Sequence, residues 1–322
     1  MQYDASLAGL SRWRIGGPAD AVVTPRTRRE LVETVAYLRS RDVRHVVIGD
    51  GSNLLFDDAG FRGVVVRTGQ ALDGFEIVGG GVVRAGAGLW VPCFVRNVID
   101  NALSGAVHAI GIPGRLGGLV VMNGGSQRRG IGDNVVSVDV LDHDGVERRI
   151  PRDALDFSYR ASRLQTSGAV VLAAEFAFEP GDRTAMQQEA IAILRSRRAK
   201  FPRVRQNCGS VFVSDPALYA MIGPPGLAIE RAGLKGLRRG GAQISPDHAN
   251  FIVNNGDALS ADVLALIAIA RDRVAALTGI RMLAEVRHLD PFGGLRPAHE
   301  VCGSADAASQ EPDNHERLVR NS

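Results

Sequence analysis

Two glycine-rich turns are the first features of this sequence that could do chemistry. Residues 49–53, GDGSN, directly follow the β-branched run 46–48, so a strand is predicted to enter a tight turn there. Glycine allows positive φ and close approach of the backbone, and successive exposed N–H groups form a nest for anions such as a pyrophosphate. The turn is neither a Walker sequence nor GxGxxG, and such turns are also common as purely structural features.

A second turn strengthens the ligand-binding interpretation. Residues 111–118, GIPGRLGG, hold four glycines within eight positions. Both turns follow apolar segments, so the two loops could close on one cofactor from opposite sides. A dinucleotide would fit such a site, although the loops alone do not identify it.

Other reactive side chains favour structural roles. The three cysteines, Cys93, Cys208 and Cys302, are widely spaced and form no CxxC pair, so neither a zinc site nor a disulfide framework is predicted. Cys208 is expected to be a buried thiol. His248 lacks a second ligand at metal-binding spacing, so no metal site is predicted.

Composition narrows the class of protein. A chain of 322 residues with 45% hydrophobic and 23% charged residues is expected to form two or three soluble subdomains. The net charge of +3 comes without a lysine-rich block, which argues against nucleic-acid binding. The first residues do not resemble a signal peptide and no apolar run could span a bilayer. We expect a cytoplasmic monomer without a membrane partner.

The chain pattern alternates helical and strand signals. Thr27 and Glu30 form a capping box ahead of a helix, and Pro92 is predicted to open another. Further helices are predicted over 184–200 and over 261–277, the latter with Ser260 as its N-cap. Strands are predicted over 46–48, 64–66, 82–83, 135–141, 170–178 and 280–288. We expect a first domain over 1–182 (subdomains 1–68 and 69–182), a second over 183–290, and a disordered tail over 291–322.

Nine short motifs occur in a fixed order along the chain. They are RIGGPA (14–19), GDGSNLL (49–55), GIPGRLGG (111–118), YR (159–160), GSVF (209–212), AGLKG (232–236), GGAQ (240–243), HANF (248–251) and EVR (285–287). Each motif alone is weak, but the ordered set is specific. Over about residues 10–288 the chain resembles the UDP-N-acetylenolpyruvoylglucosamine reductase family.

The resemblance implies an α+β fold. An FAD-binding domain of the vanillyl-alcohol oxidase/PCMH type, built from two α+β subdomains, would precede a smaller α+β substrate-binding domain. The chain matches the shorter form of the family, which lacks a tyrosine-bearing loop. FAD would be bound non-covalently, with NADPH as co-substrate. The implied FAD-binding residues are Gly49, Gly51, Ser52, Asn53, Leu54, Gly111, Ile112, Pro113, Gly114, Gly117 and Gly118.

The resemblance also implies a reaction, the reduction of UDP-N-acetylglucosamine enolpyruvate to UDP-N-acetylmuramate in peptidoglycan precursor synthesis. Adding a hydride to an enol ether leaves a carbanion delocalised into the carboxylate, which requires preorganised positive charge and a proton source. By motif position, Arg160 would bind the carboxylate, Ser210 would donate the proton, and Glu285 would assist protonation or hold the intermediate. The implied substrate-binding residues are Tyr159, Asn123 and Gln243.

Departures from the family pattern leave alternatives open. Val213, Ser214 and Asp215 stand where the family commonly has Lys-Asn-Pro, so a cation is lost and an anion is added nearby. Arg128 and Arg129 could offset that loss. The alternatives are a flavin reductase acting on another nucleotide-sugar or enol-ether acceptor, a non-catalytic flavin-binding protein, and an oxidase with covalently bound flavin. A serine hydrolase is not supported, because Ser210 does not lie in a GxSxG motif.

Overall fold

A computed structural model describes residues 1–303. Its strands are β1 (Gln2–Ser6), β2 (Pro18–Val23), β3 (His45–Ile48), β4 (Leu54–Phe56), β5 (Phe61–Arg67), β6 (Phe75–Gly79), β7 (Val82–Gly86), β8 (Leu103–Ser104), β9 (Val135–Leu141), β10 (Glu147–Pro151), β11 (Val170–Ala177), β12 (Glu179–Pro180), β13 (Arg238–Arg239), β14 (Ala242–Ile244), β15 (Ile252–Asn254), β16 (Arg287–Leu289) and β17 (Leu295–Pro297). Its helices are α1 (Arg28–Ser40), α2 (Val91–Asp100), α3 (Leu116–Val121), α4 (Arg183–Lys200), α5 (Pro216–Met221), α6 (Pro225–Arg231), α7 (Ser260–Thr278) and α8 (Ala298–Val301).

The first sheet has the strand order β1-β2-β5-β3. The predicted β-branched runs form β3 and β5, which pair in parallel with Val46 opposite Val65. Helix α1 begins as the capping pattern predicts, because the Thr27 side chain accepts a hydrogen bond from the Glu30 N–H. Strand β3 ends at Ile48, so the turn at 49–53 leaves the end of a parallel strand.

The second sheet is antiparallel, with the order β10-β9-β11-β7-β6. Its inner face packs on α2, where the rings of Phe94 and Phe176 lie 4.9 Å apart. Helix α4 contributes Met186 and Ile193 to this same core. Because α4 packs with the sheet that precedes it, we propose that the substrate domain starts near residue 201 instead of the expected 183.

The C-terminal part has its own core around β13, β14, β15 and α7. The N-terminal segment enters this core, because Trp13 is fully buried and its Nε1–H donates to the Ile252 carbonyl over 2.7 Å. Strand β16 pairs in parallel with β4, placing Arg287 opposite Leu54. That pairing joins the first glycine turn to the segment that carries Glu285.

Two terminal predictions need correction. The strand predicted over 280–288 is confined to β16, since the preceding segment forms a single isolated antiparallel bridge, between Phe212 and Ala284. Residues 295–301 of the expected disordered tail form β17 and α8 instead, because β17 pairs with β16. The rest of that tail, 304–322, lies outside the described residues. Within residues 1–303 no helix has both the length and the apolar character to cross a bilayer.

The cap of α7 also differs from the prediction. The helix has the predicted extent and ends at Gly279 in the left-handed conformation. Its N-cap residue is Leu259, however, and Ser260 lies in the first turn. The carboxylate of Asp58, distant in sequence, accepts hydrogen bonds from the N–H groups of Ser260 and Ala261 over 2.7 and 3.1 Å. A side chain of the first sheet region thus caps a helix of the C-terminal core.

Removing this cap should destabilise the C-terminal part. Asp58→Ala leaves the first N–H groups of α7 without their acceptor, and loss of a helix cap typically costs about 0.5–2 kcal/mol. The urea midpoint should fall accordingly, followed by circular dichroism. Asp73→Ala, at an exposed turn, is the matched control and should leave the midpoint unchanged; equal midpoints for both variants would contradict the role of Asp58.

Candidate functional site

Two cavities meet at three side chains. The larger measures ≈ 860 Å³ and is lined by both glycine turns, whereas the smaller, of ≈ 370 Å³, lies against the C-terminal part. Arg160, Ser210 and Glu285 line both cavities. The fold therefore brings together, at the junction, the three residues predicted to be catalytic.

The larger cavity contains nearly all of the predicted cofactor-binding residues. They are Gly49, Gly51, Ser52, Asn53, Leu54, Gly111, Ile112, Pro113, Gly117 and Gly118. Gly114 is buried behind the lining, where a Cβ would collide with the Ser52 hydroxyl. At Gly118, by contrast, no atom lies within 4 Å of the position a Cβ would take. A side chain there would enter the cavity, so the two loops leave room for a large ligand.

An ion pair ties the two loops together. Arg115 of the second turn donates from Nε to the Asp50 carboxylate of the first over 2.9 Å, and from Nη1 to the Gly88 carbonyl over 2.9 Å. Both charged side chains are largely shielded from water. The cavity wall is thus braced before any ligand binds.

Arg160 lies at the tip of a two-residue turn. Ser158 and Ala161 exchange backbone hydrogen bonds on either side of it, and Arg160 itself has φ 57. Its guanidinium donates from Nη2 to the Gly125 carbonyl over 2.6 Å, and its Nε lies 3.1 Å from a Glu285 carboxylate oxygen. With its side chain only 16% exposed, this arginine is held in one orientation.

Asn123 supports that turn and does not line either cavity. Its side-chain amide donates to the Ser158 carbonyl over 2.7 Å and accepts from the Gly132 N–H over 2.9 Å. Both ends of the amide are thus used inside the protein, and the predicted contact between Asn123 and substrate stays a prediction. Its role is to hold the loop against which Arg160 packs.

The backbone of Glu285 is held by hydrogen bonds to residues from both halves of the molecule. Its N–H donates to the Val211 carbonyl over 2.8 Å, and its carbonyl accepts from the Asn53 side chain over 2.9 Å. Burial raises the pKa of the Glu285 carboxyl above its ordinary value, although the nearby Arg160 charge opposes the shift. The carboxyl can therefore keep its proton at a higher pH than an exposed glutamate.

Ser210 lies on a loop fastened by Asn250. The Asn250 side chain accepts from the Phe212 N–H over 3.0 Å and donates to the Phe212 carbonyl over 2.9 Å, while its own carbonyl accepts from Val211. Asn250 belongs to the HANF motif, but sequence reasoning assigned it no role. The signal in the sequence that could have revealed this role was an asparagine two positions after His248.

The two remaining predicted substrate residues differ in location. Tyr159 lines the smaller cavity and is 54% exposed. Gln243 lies in the sheet β13-β14-β15, where its side chain donates to the Gly236 carbonyl and accepts from Asn255. Gln243 lines neither cavity, and its predicted contact with substrate stays a prediction.

The family departure after the GSVF motif has a structural explanation. The Asp215 carboxylate caps helix α5 by accepting from the N–H groups of Ala217 and Leu218 over 2.7 and 2.9 Å. Its charge is therefore engaged at a helix N-terminus, where an anion is favourable. Ser214 lines the smaller cavity together with Glu230 and Asp247, two acidic residues that sequence reasoning did not identify.

Burial shifts the pKa values of a cysteine and a histidine near the site toward their neutral forms. Cys208 is buried, which raises the pKa of its thiol to about 12, as expected for a structural cysteine. Burial lowers the pKa of the His248 imidazole, whose ring packs 4.9 Å from that of Phe251. The described residues contain no cluster of His, Cys, Asp and Glu able to hold a metal ion.

Comparisons with known proteins agree with this geometry. Residues 19–150 match the FAD-binding domain model, and residues 201–289 match the C-terminal domain model of UDP-N-acetylenolpyruvoylglucosamine reductase. The reductase 1 of that name from Corynebacterium glutamicum is 49% identical over 99% of this chain and 92% of its own length. The Heliobacterium modesticaldum reductase is 40% identical over 88% of each chain.

A solved structure is similar as well. The crystal structure of the Thermus caldophilus UDP-N-acetylenolpyruvylglucosamine reductase aligns with a TM-score of 0.74 at 30% identity. The alignment covers 88% of this chain and 97% of that one.

The burial of Glu285 predicts a pH-dependent stability. Because its folded pKa is raised, the unfolded chain releases this proton more readily, and stability is lost as the pH rises through the folded pKa. Glu285→Gln cannot ionise, so its free energy of unfolding should exceed that of the parent protein near about pH 8. The difference should shrink toward about pH 4, where the unfolded glutamate is protonated too.

Urea unfolding of both proteins at several pH values measures this difference. Glu189→Gln, on the exposed face of α4, serves as the control and should show a difference that hardly changes with pH. A Glu285→Gln protein that is least stable, relative to the parent, at the highest pH would refute the sign of the shift.

Proposed function

The chain belongs to the UDP-N-acetylenolpyruvoylglucosamine reductase family, and from this premise we propose that it reduces UDP-N-acetylglucosamine enolpyruvate to UDP-N-acetylmuramate. NADPH is the reductant, FAD is the bound cofactor, and the reaction serves peptidoglycan precursor synthesis. The proposal that Arg160, Ser210 and Glu285 are the catalytic residues rests on one observation. These three side chains lie together where the two cavities join.

The larger cavity suits FAD. The turns at 49–53 and 111–118 line it with backbone, and Gly118 leaves space that a side chain would fill. Backbone amides in such turns favour a diphosphate, so these loops would hold the dinucleotide. When bound, FAD supplies the means of passing a hydride from NADPH to the enolpyruvyl carbon. The smaller cavity would then take the UDP-sugar, with Tyr159 at its wall.

Arg160 is the electrostatic element of the proposed mechanism. Negative charge develops on the substrate carboxylate as the hydride adds, and a fixed guanidinium stabilises it without reorganisation. The bonds from Arg160 to Gly125 and its contact with Glu285 hold the group before substrate arrives. A planar, permanently charged donor is suited to a carboxylate in a way that a lysine is not.

Ser210 and Glu285 would together provide the proton. A serine hydroxyl is a weak acid by itself, so a neighbouring group must help it donate. The raised pKa of Glu285 lets that carboxyl remain protonated at a pH where it can hydrogen-bond to the developing enolate or to Ser210. General acids of this kind typically contribute about 100- to 10,000-fold to a rate.

One observation favours a second candidate, a reductase of another nucleotide-sugar or enol-ether acceptor. The smaller cavity is lined by three acidic residues, Glu230, Asp247 and Glu285. Among its described lining residues, Arg160 is the only lysine or arginine. A wall with three carboxyl groups and one guanidinium is less favourable for a diphosphate than a basic one. Comparing turnover of UDP-linked and other nucleotide-linked enolpyruvyl acceptors would separate the two candidates.

Further features stay predictions. Assignment to the shorter form of the family, which lacks the tyrosine-bearing loop, is proposed. The cytoplasmic location, the monomeric state and the absence of a nucleic-acid or membrane partner are likewise proposed. Non-covalent attachment of FAD predicts that denaturation releases the flavin.

Ser210→Ala should separate the two half-reactions. NADPH should still bleach the flavin at the parent rate, because the serine takes no part in that step. Reoxidation by UDP-N-acetylglucosamine enolpyruvate should slow by about 100- to 10,000-fold, the typical contribution of a general acid. Stopped-flow absorption of the flavin measures both steps.

The control is Ser104→Ala, whose hydroxyl bonds only to the Glu179 carbonyl outside both cavities. It should match the parent protein in both half-reactions. Unimpaired reoxidation in Ser210→Ala would remove this serine from the mechanism.

A further inference from the structure

Gln165 links the two segments that carry Arg160 and Glu285. Its side-chain Nε2 donates to the Arg160 carbonyl over 2.9 Å. The Oε1 atom of the same amide accepts from Nη1 of Arg287 over 3.2 Å. Arg287 follows Glu285 by two positions, so a single side chain bonds to both sides of the junction between the cavities.

On the arginine side, the amide holds a turn that needs support. Arg160 occupies the left-handed region with φ 57, which is unfavourable for a residue other than glycine. The bond from Gln165 fixes the carbonyl of Arg160 itself. The same Nε2 lies 3.3 Å from the Val121 carbonyl, which also accepts from Ser162, so the turn is anchored to the end of α3.

On the glutamate side, the amide acts through Arg287. The backbone N–H of Arg287 donates to the Asn53 carbonyl over 3.1 Å, and its Nη2 donates to the Leu295 carbonyl over 2.7 Å. With Gln165 as a third partner, Arg287 keeps β16 in register beside β4. That register also sets the bond between Asn53 and the Glu285 carbonyl.

We propose that Gln165 is a positioning residue that sets the distance between the Arg160 guanidinium and the Glu285 carboxyl, 3.1 Å in this structure. This inference rests on the proposed function. An amide is required because one end must donate to a carbonyl and the other must accept from a guanidinium. Neither a carboxylate nor an apolar side chain does both.

Two substitutions of Gln165 test its two hydrogen bonds separately. Gln165→Met keeps the volume but loses both bonds. Gln165→Glu keeps the acceptor for Arg287 and loses the donor to the Arg160 carbonyl. Thr166→Val, which removes a neighbouring hydrogen bond to Arg163 in the same turn, is the matched control.

Both Gln165 variants should bind FAD with the parent spectrum and be reduced by NADPH at the parent rate. Reoxidation by UDP-N-acetylglucosamine enolpyruvate should fall about 10- to 100-fold, since small displacements of a positioned group have effects of that size. The pH profile of reoxidation should shift upward, because Arg160 lowers the pKa of Glu285 and would lie farther from it. Crystal structures of the variants should show a longer distance between Arg160 and Glu285.

The outcomes are distinguishable. If the parent protein itself is not reoxidised by this substrate, the proposed function fails. If the parent is reoxidised and Gln165→Met matches it in rate and pH profile, the positioning role is overturned. An effect of Gln165→Met without one of Gln165→Glu would also overturn it, because the Arg160 tether would then be dispensable. Loss of folding in Gln165→Met leaves the decision to Gln165→Glu, whose thermal midpoint is measured alongside.

Discussion

The site depends on keeping a carboxyl and a guanidinium together where little water reaches them. Removing either group from water is costly, and their attraction offsets that cost only when geometry is maintained. The raised pKa of Glu285 shows that burial outweighs the effect of Arg160. A pair of this kind would separate or rotate toward solvent unless the surrounding chain prevented it.

Backbone contacts supply that restraint. The guanidinium of Arg160 is directed by carbonyls of the loop that follows α3, and the turn beneath it is braced by Asn123. Glu285 is fixed through its own main chain, between Val211 and Asn53. Most of these partners are main-chain atoms, so the positions depend on the fold more than on further side chains. The strained turn at Arg160 is tolerated because its neighbours determine its conformation.

Contacts between distant parts of the chain also make its two halves inseparable. Trp13 fills the C-terminal core, Asp58 caps a C-terminal helix, and β16 pairs with β4. Each contact crosses from the sequence before residue 70 to the sequence after residue 250. Parallel pairing across such a separation cannot be made by a short hairpin, so the junction forms only when both halves are in place. A site built at that junction inherits its geometry from the complete fold.

Local sequence determined much of this protein. The β-branched runs predicted β3, β5 and β11, and the capping pattern predicted α1. The ordered motifs identified the family and predicted the set of Arg160, Ser210 and Glu285, which the fold brings to one junction. Those features depend on contacts within a few residues or on residue types that the chemistry demands. The tertiary structure alone decided that the amides of Asn123 and Gln243 bond inside the protein, that Asp58 caps α7, and that α4 packs with the preceding sheet. It also decided that Gln165 bridges the segments that carry Arg160 and Glu285. These outcomes rest on partners tens or hundreds of positions apart, and no local pattern records which carbonyl a buried amide will reach once the chain has closed around it.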